Sequence, residues 1–443
     1  MQIWENTFNQ LMDALMPQLA EGEAVTVGLV AEESEFTRFN HAKVRQTGSI
    51  ENGSMSVTLM ADGRSATESI TFTGDKASDW PLLMTALHTL RDELPQLPED
   101  PYIVLPDGDD HSREVYDGEL LGMSAIAPTI LPNMSGLDAV GLYAGGRCVR
   151  AYADSAGQRH WFATETFTLD YSLFTESGQA VKGTYAGRTW DDAAYTDNLA
   201  VAKTLLEQMS QTPKKLERGQ YRTYFAPAAV ADLMSMLSWG GIGEASIRRG
   251  GSALGPLQRG DKTLSDKIHL SEDFSQGQVP RFNQYGELAP LTMPLIDGGQ
   301  LKNTLVSART AKEYGIPSTF AEGGEYLRSP TLASGTLAEA DILAALDTGL
   351  YVSNLHYLNW SDRPNGRITG MTRYACFWVE NGQIVAPIEN LRFDESLYNF
   401  WGANLIDLTQ ATQFIPEVGS YGFRDLGGTL VPGMLVDNFA YTL

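Results

Sequence analysis

The chain has 443 residues, with 32 Lys+Arg against 55 Asp+Glu and a formal net charge of -23 at pH 7. That acid excess argues against binding nucleic acid, whose phosphates must be met by clustered Lys and Arg, and against docking on an anionic membrane surface. The length suggests two or three domains at roughly 150 residues each, and 43% apolar with 20% charged residues is a folded composition rather than a disordered one.

The N-terminus, Met1-Gln2-Ile3-Trp4-Glu5-Asn6, has neither the positive region nor the apolar stretch of a signal peptide. No run approaches the roughly 18 apolar residues of a membrane-spanning helix, so a cytoplasmic protein is expected. Residues 3–19 predict an amphipathic helix, with Trp4, Phe8, Leu11, Met12, Leu15 and Leu19 at helical spacing. Short strands follow from Val25 to Thr73, with hairpin turns expected at Asn52-Gly53 and Asp62-Gly63. Trp80 to Leu94 predicts a second helix. The Pro-, Asp- and Gly-rich stretch 95–135 is expected to be a long excursion, with a helix around 113–123. Val140–Ala153 and Arg159–Leu169 predict strands, and Asp191–Met209 a helix with Leu199, Ala202, Leu205, Leu206 and Met209 along one face.

Pro213-Lys214-Lys215 with Gly219 predicts a boundary between an N-terminal domain over 1–215 and a C-terminal one over 216–443. In the second half, Pro227–Trp239 predicts a short helix and Thr336-Leu337-Ala338-Glu339 a capping box opening a helix to about Leu346. Turns are expected at 297–300, 363–366 and Asn381-Gly382, and strands at 349–360, 367–379 and 383–393. The fold class is therefore α+β. An N-terminal antiparallel sheet carries helices, and the C-terminal domain is β-rich and barrel-like.

The six histidines, His41, His88, His111, His160, His269 and His356, include no pair within five residues, so no helical zinc pair exists. His111 with Glu114, or His269 with Glu272, could each supply a fragment of a site built from distant residues. Cys148 and Cys376 sit in strand-like runs and are expected to be packing thiols. There is no Gly-x-Ser-x-Gly elbow, and the glycine-rich stretch 240–252 lacks the Gly-Lys-Ser/Thr ending of a phosphate loop.

A set of ordered blocks carries a stronger signal. It runs through Pro280-Arg281-Phe282-Asn283-Gln284-Tyr285-Gly286-Glu287, Pro294-Leu295-Ile296-Asp297-Gly298-Gly299-Gln300-Leu301-Lys302-Asn303, Ala308-Arg309-Thr310-Ala311 and Arg328-Ser329-Pro330. It continues with Gly349-Leu350-Tyr351-Val352, Gly370-Met371-Thr372-Arg373 and Val379-Glu380-Asn381-Gly382-Gln383-Ile384-Val385. Over about 220–395 this order resembles the TldD/PmbA family, the TldD–TldE peptidases once called modulators of DNA gyrase.

The resemblance implies a dimer, of like chains or of a TldD-type with a TldE-type subunit, acting on unfolded peptides inside an enclosed cavity. It also implies, for active members, a helical His-Glu-x-x-x-His motif and a C-terminal Cys around zinc, which acidifies water and polarises the scissile carbonyl. Aligned on Arg248-Arg249-Gly250-Gly251-Ser252, the histidine positions of that motif fall on Ser235 and Gly240 and the glutamate position on Met236. The chain thus resembles a TldE-like member without a metal of its own. It is expected to be a non-catalytic subunit, with zinc in a TldD-type partner. Arg328, His356 and Arg373 are the candidates for lining the peptide cavity. Two alternatives are a self-sufficient peptidase with a relocated site among His269, Glu272, Asn354, His356, Tyr357, Arg373 and Cys376, and a peptide-binding module without turnover.

Overall fold

Gln2–Leu15 forms the first helix and ends in a 3-10 turn over Met16–Gln18, where Pro17 removes a helical donor. The computed structural model describes residues 2–442. The helix buries Phe8, Leu11, Met12 and Leu15 against a seven-stranded sheet. In order, that sheet runs Arg64–Thr71, Lys43–Ala61, Ala24–Asn40, Asp138–Asp154 and Arg159–Phe174. His111–Tyr116 lies parallel to the first half of this last strand, and Ala180–Gly187 antiparallel to its second half.

Side chains alternate across the sheet with period two. Val25, Val27, Leu29, Met55, Val57 and Leu59 are buried in one core with the helix Lys76–Glu93. That helix starts four residues before the expected Trp80, because the Asp75 side chain caps it by accepting from the Ser78 N–H at 3.0 Å. Asp192–Met209 covers the far end of the sheet and buries Tyr195, Leu199, Ala202 and Met209.

Three local expectations fail. Lys43–Ala61 runs unbroken through Asn52-Gly53, with Gly53 opposite Ala31. The turn sits instead at His41 and Ala42, both left-handed, with φ of 49° and 51°. Gly53 serves a close approach: its carbonyl accepts from the Phe72 N–H at 2.9 Å, and an added Cβ would lie 2.5 Å from the Phe72 carbonyl oxygen. The helix expected around 113–123 does not form there. His111–Tyr116 is a strand, and the helix comes later, at Met123–Ile130. The expected capping box does not form either. Thr336 bonds Asp407 and Glu339 accepts from the Ala411 N–H at 2.7 Å, so both side chains tie down a neighbouring strand. A 3-10 turn over Glu339–Asp341 then leads into the short helix Ile342–Leu346.

The second sheet has eleven strands. Its main path runs Gln300–Leu301, Thr292–Asp297, Leu270–Asp273, Pro330–Leu332, Gly428–Tyr441, Arg392–Ser396, Arg367–Glu380, Gly349–Asp362 and Gly219–Phe225. Gln383–Pro387 pairs beside Arg367–Glu380, and Leu405–Pro416 beside Gly428–Tyr441. Gly428–Tyr441 also pairs with Gly219–Phe225, which turns the sheet back on itself. The arrangement is barrel-like in that region, and the sheet as a whole stays open. The helix Pro227–Ser235 packs inside the curve through Ala229, Val230, Leu233 and Met234. The two sheets share no strand pairing among the described residues, and they meet through a common core in which Ala375 and Phe377 pack with Phe167, Tyr171 and Leu199.

Candidate interdomain cavity

The face of the first sheet opposite its apolar core carries small and polar side chains. Thr26, Gly28 and Val30 lie on one strand, Ser54, Ser56 and Thr58 on the next, and Thr67 on the edge strand. This face forms one wall of a cavity of about 1140 Å³. The other walls come from the C-terminal half: Met234, Ser235, Ser238 and Trp239 at the end of the helix, the segments 279–284 and 322–330, and the loop from Glu417 to Thr429. The volume lies above the usual range of about 300–1,000 Å³ for small-molecule pockets and suits a length of extended chain. Trp239 and Tyr326 stand 59% and 44% exposed on its wall.

The C-terminal wall is acidic: Glu322, Glu417 and Asp425 line it, the last two exposed. Asp232, on the helix Pro227–Ser235 but outside the lining, has its carboxyl pushed up to about 7 by burial, against the hydrogen bond it accepts from the Leu355 N–H at 2.9 Å, and Glu417 adds to the rise. Glu417 is itself raised, first by burial and then by Asp425. Burial also raises Glu322, while the nearby Arg328 guanidinium acts the other way.

The three positions aligned with the zinc motif do not share a face. Ser235 is exposed on the cavity wall and donates to the Asp232 carbonyl at 2.7 Å. Met236 opens a 3-10 turn and is buried in the core. Gly240 is left-handed at φ 74°, where an added Cβ would lie 2.8 Å from an Arg363 guanidinium nitrogen. A lone hydroxyl, a buried thioether and a glycine do not fit zinc, which takes Cys, His and carboxylate ligands. Among the described residues no three His, Cys, Asp or Glu side chains gather in a metal-holding cluster.

The other candidates lie apart. Arg328 lines the cavity, and its guanidinium donates to the carbonyls of Pro280, Arg281, Phe282 and Phe320 at 3.0–3.3 Å. That work organises the wall. His356 and Arg373 lie on the paired strands 349–362 and 367–380, outside the residues that line the cavity. The His356 ring lies tilted at 48° against the exposed Tyr357, and Arg373 lies over the Tyr374 ring. Burial, then Arg373, pushes the His356 imidazole down. Asn354 is opposite Arg373.

His269 holds Asp297 at 2.7 Å, whereas Glu272 is buried and accepts from the Arg328 and Ser329 N–H groups. The Cys376 thiol donates to the Arg373 carbonyl at 3.2 Å, and burial pushes it up to about 11. His111 is exposed, and Glu114 pairs with Arg281 at 3.2 Å. Sequence reasoning missed Arg150, Glu322, Glu417 and Asp425. The one available signal was the alternation of small polar residues along 26–30 and 54–58.

Two packed sheets enclosing a large cavity, with a helix end on its wall, define the structural class. Residues 218–442 match the family model described as the PmbA/TldA metallopeptidase C-terminal domain. The chain belongs to the PmbA/TldD family. A curated relative, the metalloprotease PmbA of Escherichia coli O157:H7, is 25% identical over 263 residues, 57% of this chain. The match spans 56% of that relative, little more than half its length.

TldE from Thermococcus kodakarensis superposes with a TM-score of 0.81 at 14% identity, over 99% of this chain and 100% of that one. A structure from Bacteroides thetaiotaomicron VPI-5482, described as a modulator of DNA gyrase, gives 0.77 at 15% identity over 99% and 98% of the two chains. Another so described, from Thermotoga maritima MSB8, gives 0.76 at 14% over 99% and 100%. At these identities the likeness shows the fold. No helix among the described residues is long and apolar enough to cross a membrane.

Proposed function

We propose that this chain is a TldE-like, non-catalytic subunit of a TldD/TldE-type metallopeptidase complex, in which it encloses and holds an unfolded peptide while a TldD-type partner supplies the zinc. The observation that carries this reading is the large interdomain cavity with Ser235 on its wall, at the end of a helix that carries neither His nor Cys. An unfolded peptide needs little sequence recognition if its backbone is held as an added strand. Arg64–Thr71 is the edge of the first sheet and borders the cavity through Thr67.

Co-expression with a TldD-type chain, followed by size-exclusion chromatography and a peptide-cleavage assay, tests the proposal. The expected result is co-elution, with cleavage in the mixture and none by this chain alone. Failure to associate at micromolar concentration overturns it, as does zinc-dependent cleavage by this chain alone.

A further inference from the structure

Three arginines stand on or beside the cavity, and they are used very differently. Arg328 makes four hydrogen bonds to backbone carbonyls. Arg424 is buried and donates to Ser34, to the Gly146 carbonyl and to both the carbonyl and hydroxyl of Thr166. Arg150 makes one hydrogen bond, to the carbonyl of its neighbour Val149 at 2.9 Å. A guanidinium has five N–H donors in a planar fork, so most of this one is unused. No carboxylate oxygen comes within 4.0 Å of it among the described residues, whereas Arg147, three residues earlier on the same strand, pairs with Glu165.

Arg150 is placed for a ligand. It sits on Asp138–Asp154 opposite Val30, on the face that also presents Thr26, Gly28, Ser54 and Ser56 to the cavity. It is the one charged side chain that this sheet contributes to the lining. Burial pushes its pKa down, with Cys148, Glu32 and Asp425 acting the other way and Arg424 adding to the fall. Arg150 is half-buried, and a planar anion that fits the fork takes up donors that the protein leaves unused.

We infer that Arg150 is the anion-binding residue of the cavity and takes a carboxylate of the bound extended peptide, either its C-terminal carboxylate or an Asp or Glu side chain. The opposite wall selects for a single negative charge: Glu322, Glu417 and Asp425 also line the cavity and repel a second one. A phosphate dianion is disfavoured for the same reason. The inference rests on the peptide-holding role proposed above and adds the chemistry by which the peptide is oriented.

The test is fluorescence anisotropy with three labelled, unstructured peptides, on the full chain alone and with a TldD-type partner. One has a free C-terminal carboxylate and no acidic side chain. The second is its C-terminal amide with one internal Glu, and the third is the amide without Glu. The expected result is that the third binds about tenfold or more weakly than the first or the second, and whichever carboxylate peptide binds tightly names the source. Arg150→Gln should bring all three to the weak value, and Arg150→Lys should restore part of the difference. Thermal midpoints of both variants within a few degrees of the parent exclude misfolding. If Gln shifts the midpoint strongly, the Lys variant and the parent's carboxylate-to-amide ratio carry the test. Equal binding of all three peptides by the parent chain overturns the subsite and leaves the peptide-holding role intact. No binding of any peptide, with or without the partner, overturns both.

Discussion

Arg424 shows how much one side chain can secure. It comes from the loop between the last two strands, yet its guanidinium is buried against the first sheet, bonded to Ser34, Gly146 and Thr166. Its own N–H meets the buried Glu32 at 3.0 Å. Removing the side chain strands several acceptors away from water. Arg424→Ala is therefore expected to cost about 2–4 kcal/mol in urea denaturation, and to expose residues 417–427 to limited proteolysis. A loss below about 0.5 kcal/mol, the usual effect of a surface change, would contradict the buried-latch account.

Asp232 carries a signed pH dependence. Its carboxyl rises from an ordinary 3.8 to about 7, chiefly through burial. Between those values the folded chain keeps a proton that the unfolded chain has lost, so stability falls as pH rises through that window and levels off above it. Asp232→Asn keeps an oxygen for the Leu355 N–H and removes the titration. Glu272, Glu322 and Glu417 are shifted in the same direction and persist in the variant, so the difference between the two proteins isolates Asp232. Urea midpoints should fall less steeply from pH 4.5 to 8 in the Asn variant. Parallel curves would show that Asp232 titrates normally.

Elements were legible where local chemistry and tertiary pairing agree. Asp191-Asp192 before an apolar stripe reads as a helix start. Asp191 does cap Asp192–Met209, accepting from the N–H groups of Ala193 and Ala194 at 2.8 and 3.0 Å. Asp191→Ala should cost about 1 kcal/mol and Asp191→Asn a few tenths, measured by chemical denaturation. Equal losses would place the effect outside the cap. Asp62-Gly63 and Asn381-Gly382 are left-handed turns as their sequences suggest. Asn52-Gly53 has the same composition and no turn, because a neighbouring segment presses on Gly53 and the strand pairs straight through. His41-Ala42 makes a turn without a turn signature, since the long pairing on either side dictates the reversal. His111–Tyr116 is a strand because it finds a parallel partner 48 residues later in register, which no local pattern over six residues encodes. The strands Leu405–Pro416 and Gly428–Tyr441 pair antiparallel with each other across the long loop 417–427, which has no tight hairpin-turn signature to mark the pairing.

At the scale of the molecule, the α+β character follows from periodicity, but the cavity does not. Arg150, Glu322, Glu417 and Asp425 come from well-separated parts of the chain, and only the packing of one sheet face against the curved second sheet assembles them. Ser235 was legible through the family pattern alone. The assembly also exposes a place where volume can be changed without touching a charge. Gly28 lies mid-strand on the cavity face, opposite Ser56 and Tyr152, and a Cβ added there meets nothing within 4 Å. Its backbone is not left-handed, and aromatic residues are favoured in strands, so Gly28→Phe should leave stability within about 1 kcal/mol of the parent. The ring would occupy the space between the first sheet and the helix end. Peptide retention by the chain, and cleavage by its complex with a TldD-type partner, should both fall while association with that partner is unchanged. Unaltered retention in a normally folded Gly28→Phe variant would place the peptide elsewhere on the molecule, and loss of association instead would make this face part of the subunit interface.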